Sequence, residues 1–300
     1  MTQRILITGS EGLVGRVVAK ELLARGYVVK GLDLKGVGDE QGDICDYACV
    51  EDAVSCCDGI LHLAAVSRVV WGERDPDLCW ATNVGGLKNI LAAMKKQSSP
   101  PWLIFASSRE VYGQPKELPA TEDTPLNPVN IYARSKAEGE RLVLGAHLFD
   151  CLRVSTIRLS NVYGRTSDHV DRVIPAFARA AVLGEPLRVD GYRHTFDFTH
   201  VDDVCRGIIL LIHHMSSPWD CLPPIQFVSG IATTLGELAL QAIAIADSES
   251  PIVEAPPRNF DVAQFYGSPS LAMHALNWAP QVSLKEGLSR LIADYARELL

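Results

Sequence analysis

The sequence predicts an α/β protein built on a doubly wound parallel sheet. Short apolar runs alternate with segments of helical periodicity through the first half of the chain, and the runs are apolar at nearly every position. Strands of that kind are covered on both faces, which is typical of a parallel sheet whose strands are joined by crossover helices. Ligands of such folds bind at the carboxyl ends of the strands, so we expect the chemistry there.

The first half of the chain carries the regular alternation. Strands are predicted at residues 4–8, 27–33, 59–65, 102–107 and 154–160, and helices at 13–26, 82–96 and 130–147. The first helix, LVGRVVAKELLARG, ends at a glycine, a residue that favours helix termini. Beyond residue 160 the pattern loosens, with helices predicted at 171–184, 201–214, 234–246 and 283–298 and with proline-rich connectors in SSPWDCLPPI and EAPPRNF.

This change in pattern predicts two domains. We expect residues 1–165 to form the sheet domain and residues 166–300 to form mainly a smaller, mixed α/β module that closes over the carboxyl edge of the sheet. Residues near 192–212 are expected to return to the first domain.

Composition narrows the class of function. The 300 residues are 47% hydrophobic and 21% charged, which favours a folded core, and the net charge of −8 offers no basic surface for nucleic acid or an anionic membrane. The N-terminus lacks the apolar core of a secretory signal, and no run reaches the ~18 apolar residues of a membrane span. We therefore expect a cytoplasmic protein that acts on small molecules.

The eight cysteines include no CxxC pair, and their spacings do not repeat as those of a zinc site do. We interpret them as reduced thiols in small core spaces, with a metal or redox role as the alternative. No metal is expected.

A glycine-rich turn joins the first strand to the first helix. In ITGSEGLVG, Gly9, Gly12 and Gly15 would let the backbone approach a pyrophosphate, whose charge the helix amides favour. Asp33 ends the next strand, where a carboxylate can accept hydrogen bonds from an adenosine ribose and would repel a 2′-phosphate. NAD is therefore preferred to NADP, although Lys35 lies close by, and a tight turn without a ligand is the alternative.

Three side chains suggest a reactive group. Tyr132 and Lys136 are four residues apart on a predicted helix and so share one face, where the ammonium could lower the pKa of the phenol and make it a base. Such a pair also occurs on solvated helices by chance. FASS, however, ends a strand and would bring Ser108 to the same edge of the sheet.

Taken together in order and spacing, these motifs resemble the extended short-chain dehydrogenase/reductase family, the NAD-dependent epimerases and dehydratases of nucleotide sugars. The resemblance covers residues 4 to about 295 and rests on TGSEGLVG, Asp33, GDI, HLAA, Asn83, SSREVYG, YARSK, RLSNVYG and FDFTHVDD. It implies a Rossmann-type sheet for the NAD-binding domain and substrate binding by the smaller module. A non-catalytic NAD-binding regulator on the same fold is an alternative, against which Ser108, Tyr132 and Lys136 argue jointly.

The resemblance implies a role for each matching position. It places Gly9, Gly12, Leu13, Val14 and Gly15 at the pyrophosphate, Asp33 at the adenosine ribose, Asp43 and Ile44 at adenine, Leu63, Ala64 and Ala65 along the cofactor, Asn83 near its middle, and Tyr132 and Lys136 at its nicotinamide end. It places Ser67, Ser108, Asn161 and Arg258 at the substrate, Arg258 at the diphosphate. Tyr132 would take the proton of the sugar hydroxyl that Ser108 orients.

The residues after Ser108 bear on the reaction. A dehydratase needs a carboxylic acid and then a carboxylate there; Glu110 fits the second position, but Arg109 cannot deliver a proton. We therefore expect an epimerase, acting at the sugar C4, before a decarboxylase, a dehydratase or a keto-sugar oxidoreductase. Arg109 could instead bind the carboxylate of a uronate in a bidentate fork, or pair with Glu110 and point away from the sugar.

One position departs from the family. Many members have an arginine that binds the diphosphate where this chain has Phe196; Arg193 and His194 could compensate, or Phe196 could simply pack in the core. The resemblance also suggests a homodimer through the helices near 82–96 and 130–147.

Overall fold

The predicted α/β class is confirmed by a computed structural model, which describes residues 2–217, 221–258, 260 and 262–299. Pro218, Trp219 and Asp220 of the first proline-rich connector and Asn259 of the second lie outside the described residues.

The strands and helices alternate as expected up to β5. The strands are β1 (Arg4–Thr8), β2 (Val28–Leu32), β3 (Gly59–His62), β4 (Trp102–Ser108), β5 (Val154–Leu159), β6 (Asn161–Tyr163), β7 (Leu187–Asp190), β8 (Thr195–Phe196), β9 (Phe198–His200), β10 (Ile225–Phe227), β11 (Thr233–Thr234) and β12 (Ile252–Ala255). The helices are α1 (Leu13–Ala24), α2 (Tyr47–Val54), α3 (Val69–Arg74), α4 (Pro76–Trp80), α5 (Gly86–Lys96), α6 (Ile131–Asp150), α7 (Val173–Leu183), α8 (Val201–Ser216), α9 (Leu235–Ala246), α10 (Ser270–Leu276) and α11 (Leu284–Leu299).

The central sheet has six parallel strands in the order β10-β5-β4-β3-β1-β2. The chain runs outward from β1 in one direction through β2 and in the other through β3, so the crevice for a ligand opens where β1 and β3 end. β4 lies next to β3, and all seven of its residues are buried. Its last residue, Ser108, therefore reaches the carboxyl edge near that crevice.

Two apolar clusters cover the two faces of the sheet, as a doubly wound fold requires. One contains Val18 of α1 and Ile208 of α8; the other contains Val50 of α2, Leu87 of α5 and Val143 of α6. These clusters hold the helices in place, and α6 thereby fixes the side chains that it carries.

A third cluster lies in the second part of the chain. It joins α7, α9 and α11 around residues such as Phe177, Leu238 and Leu291. The chain returns to the central sheet with α8, which packs on α1, and again with β10. The division into domains at residue 165 stays a prediction.

Three predicted elements differ from the structure by three or more residues at one end. The strand predicted at 59–65 ends at His62, because the chain leaves the sheet at Leu63. The helix predicted at 82–96 is a π-helical turn at Ala81–Gly85 followed by α5, and the one predicted at 130–147 continues to Asp150. Within the described ranges, no helix combines the length and the apolar character needed to cross a bilayer.

Candidate active site

The glycine turn packs so tightly that side chains would not fit. A Cβ on Gly9 would lie 2.7 Å from the amide nitrogen of Ala64, and a Cβ on Gly15 would lie 2.2 Å from the carbonyl oxygen of Gly9. Gly9 has a φ of 73°, which glycine adopts without strain. Gly12 is the residue just before α1 and provides no side-chain cap, so the first amide groups of the helix are open to an anion. Leu13 and Val14 form the first turn of this helix. The glycine turn and the open amide groups beside it therefore fit a pyrophosphate.

Asp33 lies against this turn and holds it. Its Oδ2 accepts a hydrogen bond from the amide of Glu11 at 3.1 Å, and its Oδ1 accepts one from the amide of Lys35 at 2.9 Å. Each carboxylate oxygen has a second lone pair, so ribose hydroxyls can still bind. The predicted place of Asp33 beside the glycine turn therefore suits a ribose.

The two residues expected at adenine have different surroundings. Ile44 is 5% exposed and packs in the apolar cluster that contains Leu87. Asp43 is exposed, and its Oδ1 accepts a hydrogen bond from the amide of Cys45 at 2.8 Å.

The loop after β3 runs beside the glycine turn. The amide of Leu63 donates to the carbonyl of Thr8 at 3.0 Å, and that of Ala64 donates to the Thr8 hydroxyl at 3.3 Å. Leu63, Ala64 and Ala65 are half-buried. These bonds set the loop between the ends of β1 and β3, along the path expected for the cofactor.

Asn83 ties this loop to α6. Its Oδ1 accepts a hydrogen bond from the amide of Val66 at 2.8 Å, and its Nδ2 donates to the Ser135 hydroxyl at 2.9 Å. Asn83 is 1% exposed, so its buried side chain links the loop to α6. Farther along the loop, the Ser67 hydroxyl accepts a hydrogen bond from Nη2 of Arg172 at 3.3 Å.

The structure brings Ser108, Tyr132 and Lys136 to the end of β4. Their exposed fractions are 7%, 9% and 3%. The Ser108 oxygen accepts a hydrogen bond from the amide of Glu110 at 3.2 Å, and Nζ of Lys136 donates to the carbonyl of Ala106 at 2.8 Å. The first bond orients Ser108 against the segment that follows β4, and the second ties α6 to β4.

The environment of Tyr132 differs from our expectation. Burial raises the pKa of Tyr132 to about 12, against the opposing effect of a hydrogen bond from Ser108. The predicted lowering of this pKa by Lys136 was therefore wrong. Burial also lowers the pKa of Lys136 to about 8, and its Nζ lies 6.0 Å from the centre of the Tyr132 ring. Ser108, not Lys136, is the side chain that most favours the phenolate.

Glu110, predicted as a catalytic carboxylate, is held on both sides. Its Oε1 pairs with Nη2 of Arg109 at 2.7 Å, and its Oε2 accepts a hydrogen bond from Nδ2 of Asn130 at 3.0 Å. Asn130 also caps α6, because its Oδ1 accepts a hydrogen bond from the amide of Ala133 at 2.8 Å. Glu110 thus links the loop after β4 to the start of the helix that carries Tyr132.

The remaining substrate positions are farther along the chain. Nδ2 of Asn161 donates to the carbonyl of Asp197 at 3.2 Å, which fixes its amide at the start of β6. Arg258 is exposed, and its Cζ lies 5.5 Å from the centre of the Phe260 ring. Phe196 is buried, as expected for core packing.

Sequence reasoning missed Asn130 and Arg172. Asn130 has the local signal of a helix cap, an asparagine just before a periodic segment. Arg172 stands just before α7; its charge acts on Tyr132 to lower the pKa, a smaller effect than burial and the Ser108 bond. No local pattern indicates Arg172, since its position near Ser67 depends on the packing of a distant segment.

Comparison with known proteins assigns the family. The model of the NAD dependent epimerase/dehydratase family matches residues 5–220. The chain belongs to this family. The match includes the glycine turn, Ser108, Tyr132 and Lys136, so the residues that carry the sequence resemblance lie inside it.

Relatives in the family have several activities. The chain is 28% identical to a UDP-glucose 4-epimerase of Lactobacillus helveticus, over 93% of this chain and 92% of the relative, and 27% identical to UDP-glucuronic acid decarboxylase 1 of Arabidopsis thaliana, over 99% and 71%. Among solved structures it is similar to the UDP-glucose 4-epimerase of Thermus thermophilus in complex with NAD. The TM-score is 0.89 and the identity 26%, over 99% of this chain and 100% of that one.

NAD is the cofactor of the family, and the residues of this chain fit it. The tight glycine turn and the uncapped start of α1 suit the pyrophosphate, and Asp33 suits the ribose. Among the residues that the structure describes, no group of three or more His, Cys, Asp or Glu side chains could hold a metal ion.

Proposed function

We propose that this chain is an NAD-dependent nucleotide-sugar epimerase that acts at the sugar C4 through a transient keto sugar. The observation that carries the proposal is the buried arrangement around Ser108: a base candidate in Tyr132, a hydroxyl in Ser108 and, next to it, an arginine in place of an acid. Epimerisation needs the first two groups and no further acid or base.

Each side chain then has a defined task. The glycine turn and Asp33 would hold NAD, which would supply reversible hydride transfer at the sugar carbon. Tyr132 takes the proton of the hydroxyl on that carbon, and Ser108 orients this hydroxyl and favours the phenolate through its hydrogen bond. Lys136 is anchored on Ala106, close to the phenol, where it can hold the nicotinamide ribose.

The geometry disfavours the reactions of other relatives. A guanidinium is effectively always protonated, so Arg109 cannot act as the acid of a dehydratase. Glu110 has both carboxylate oxygens in contact with Arg109 and Asn130, which argues against a free base for dehydration or decarboxylation. Epimerisation is the reaction that requires neither residue to change its partners. A uronate substrate is also compatible with this proposal, because Arg109 could bind the carboxylate that a uronate carries in addition to the diphosphate.

The test is to follow product and reduced nicotinamide together. With UDP- and dTDP-linked hexoses and hexuronates as substrates, we expect the C4 epimer to form without net NADH, since the hydride returns to the sugar. Product is measured by chromatography and NADH by its absorbance. Net NADH would indicate a dehydrogenase, loss of CO₂ a decarboxylase, and no turnover of any sugar an NAD-binding regulator.

We also propose a homodimer that uses α6. Leu144, Leu148 and Phe149 of this helix are 55%, 59% and 85% exposed, an apolar surface that a second copy could cover. We expect a solution mass of twice 32.7 kDa by light scattering and a smaller mass for Leu148→Lys. A monomeric mass for the unmodified protein would contradict the dimer.

The cytoplasmic location stays a prediction from the sequence.

A further inference from the structure

Phe196 stands where many family members have an arginine, and another part of the chain places a cation, Arg109, beside it. The Cζ of Arg109 lies 4.7 Å from the centre of the Phe196 ring and 5.6 Å from that of Phe265. Both distances are typical of a guanidinium stacked on aromatic rings. The position that lacks a cation therefore has one directly over its ring.

The two rings belong to segments that are held together by their backbones. The amide of Thr195 donates to the carbonyl of Ala263, and the amide of Phe265 donates to the carbonyl of Thr195, both at 2.9 Å. Arg109 comes from the loop after β4, directly after Ser108. Its side chain thus reaches from the catalytic loop into the later segments to which the family resemblance assigns the diphosphate.

The guanidinium is only partly satisfied there. Arg109 is 8% exposed, and its Nη2 is paired with Glu110. Its Nη1 is buried and has no hydrogen-bond partner among the residues that the structure describes. A buried donor without an acceptor is costly, so an acceptor supplied by a ligand would stabilise this arrangement.

We propose that Arg109 supplies the anion-binding cation that residue 196 lacks, and that its Nη1 donates to an anionic oxygen of the nucleotide sugar. The proposal rests on the proposed function, since it requires a nucleotide-sugar substrate. The anionic oxygen belongs either to the diphosphate or to the carboxylate of a uronate. With Nη2 held by Glu110, Arg109 offers this oxygen one terminal nitrogen rather than the two of a free fork.

Arg193 is the rival for this role. It is exposed and lies three residues before Phe196 in the sequence, whereas the nearer His194 places its ring 6.2 Å from that of Phe196, edge to face. A flexible exposed arginine loses more side-chain entropy on binding than one already held between two rings. The geometry therefore favours Arg109.

The experiment compares binding in two paired backgrounds. Arg109→Met alone would leave Glu110 as a lone buried charge, so the comparison is made between Glu110→Gln and the double variant Arg109→Met/Glu110→Gln. Dissociation constants for UDP, UDP-glucose and UDP-glucuronate are measured by calorimetry with NAD present. The same measurements are made on the single variant Arg193→Gln, which tests the rival residue. Unchanged NAD affinity shows that each variant is folded.

We expect the double variant to bind UDP-glucuronate about 10- to 100-fold more weakly than Glu110→Gln does. This factor corresponds to the loss of one charge-assisted hydrogen bond. Equal weakening of all three ligands identifies the diphosphate, and weakening of UDP-glucuronate alone identifies the carboxylate. Unchanged affinities, or a loss seen only in Arg193→Gln, would overturn the proposal and leave epimerisation untouched. No binding of any of these ligands by the unmodified protein would overturn both.

Discussion

Replacing Tyr132 by phenylalanine is expected to lower kcat by about 10²- to 10⁴-fold and to leave the affinity for NAD nearly unchanged. In the proposed mechanism the phenol oxygen takes the proton, whereas the groups proposed to hold most of the cofactor are the glycine turn and Asp33, far along the chain from α6. The ring of the variant still fills the same buried space, so the fold is preserved. Initial rates and NAD titrations measure the two effects.

The pH dependence makes this prediction specific. Burial raises the pKa of Tyr132 to about 12, so only a small fraction is phenolate near neutral pH and that fraction grows as pH rises. The wild-type kcat should therefore increase with pH through the alkaline range, and the residual rate of Tyr132→Phe should not. A similar increase in the variant would show that another group is the base.

A tyrosine outside the site provides the control. The hydroxyl of Tyr295 on α11 is buried without a hydrogen-bond partner in the described part of the chain. Tyr295→Phe removes the same atom from a buried ring and is expected to leave kcat and its pH profile as they are. Loss of activity in both variants would indicate general disruption rather than loss of a base.

The meeting of Ser108, Tyr132 and Lys136 at one edge of the sheet was predictable because its signals are local. Ser108 ends an apolar strand, and Tyr132 and Lys136 lie one helical turn apart, so period and strand end alone bring them to one edge of the sheet. The glycine turn is local in the same sense, since its residues follow β1 directly. The parallel sheet needed only the repetition of these units.

The surroundings of these groups were not predictable from local pattern. The pKa of Tyr132 depends on how completely distant segments exclude water from it, and proximity to Lys136 in the sequence says nothing about that. Arg109 is stacked on Phe196 and Phe265, which come from much later segments of the chain. The same long-range packing decides that Glu110 is tied to Arg109 and Asn130 and is not free.

Replacing Arg158 by methionine is expected to lower the free energy of unfolding by about 3–5 kcal/mol. Arg158 on β5 is 4% exposed and binds Glu140 on α6 through two bonds, Nε to Oε1 at 3.0 Å and Nη2 to Oε2 at 2.8 Å. Its Nη1 also donates to the Tyr112 hydroxyl at 2.9 Å. The variant would leave the Glu140 carboxylate buried with one remaining partner, the hydroxyl of Ser107 at 2.5 Å. Urea denaturation monitored by circular dichroism measures the loss.

An exposed pair on the same helix is the matched control. Arg141 binds Glu138 with two bonds of similar length, but the Arg141 side chain is 69% exposed, so Arg141→Met should change stability little. The double variant Arg158→Met/Glu140→Gln should recover part of the loss, because no lone charge is then buried. Equal midpoints for the two single variants would show that the buried pair contributes no more than a surface pair. Ser107 directly precedes Ser108, and Glu140 lies one turn after Lys136. Equal midpoints would therefore also mean that contacts other than those of Glu140 hold β4 against α6 near Ser108, Tyr132 and Lys136.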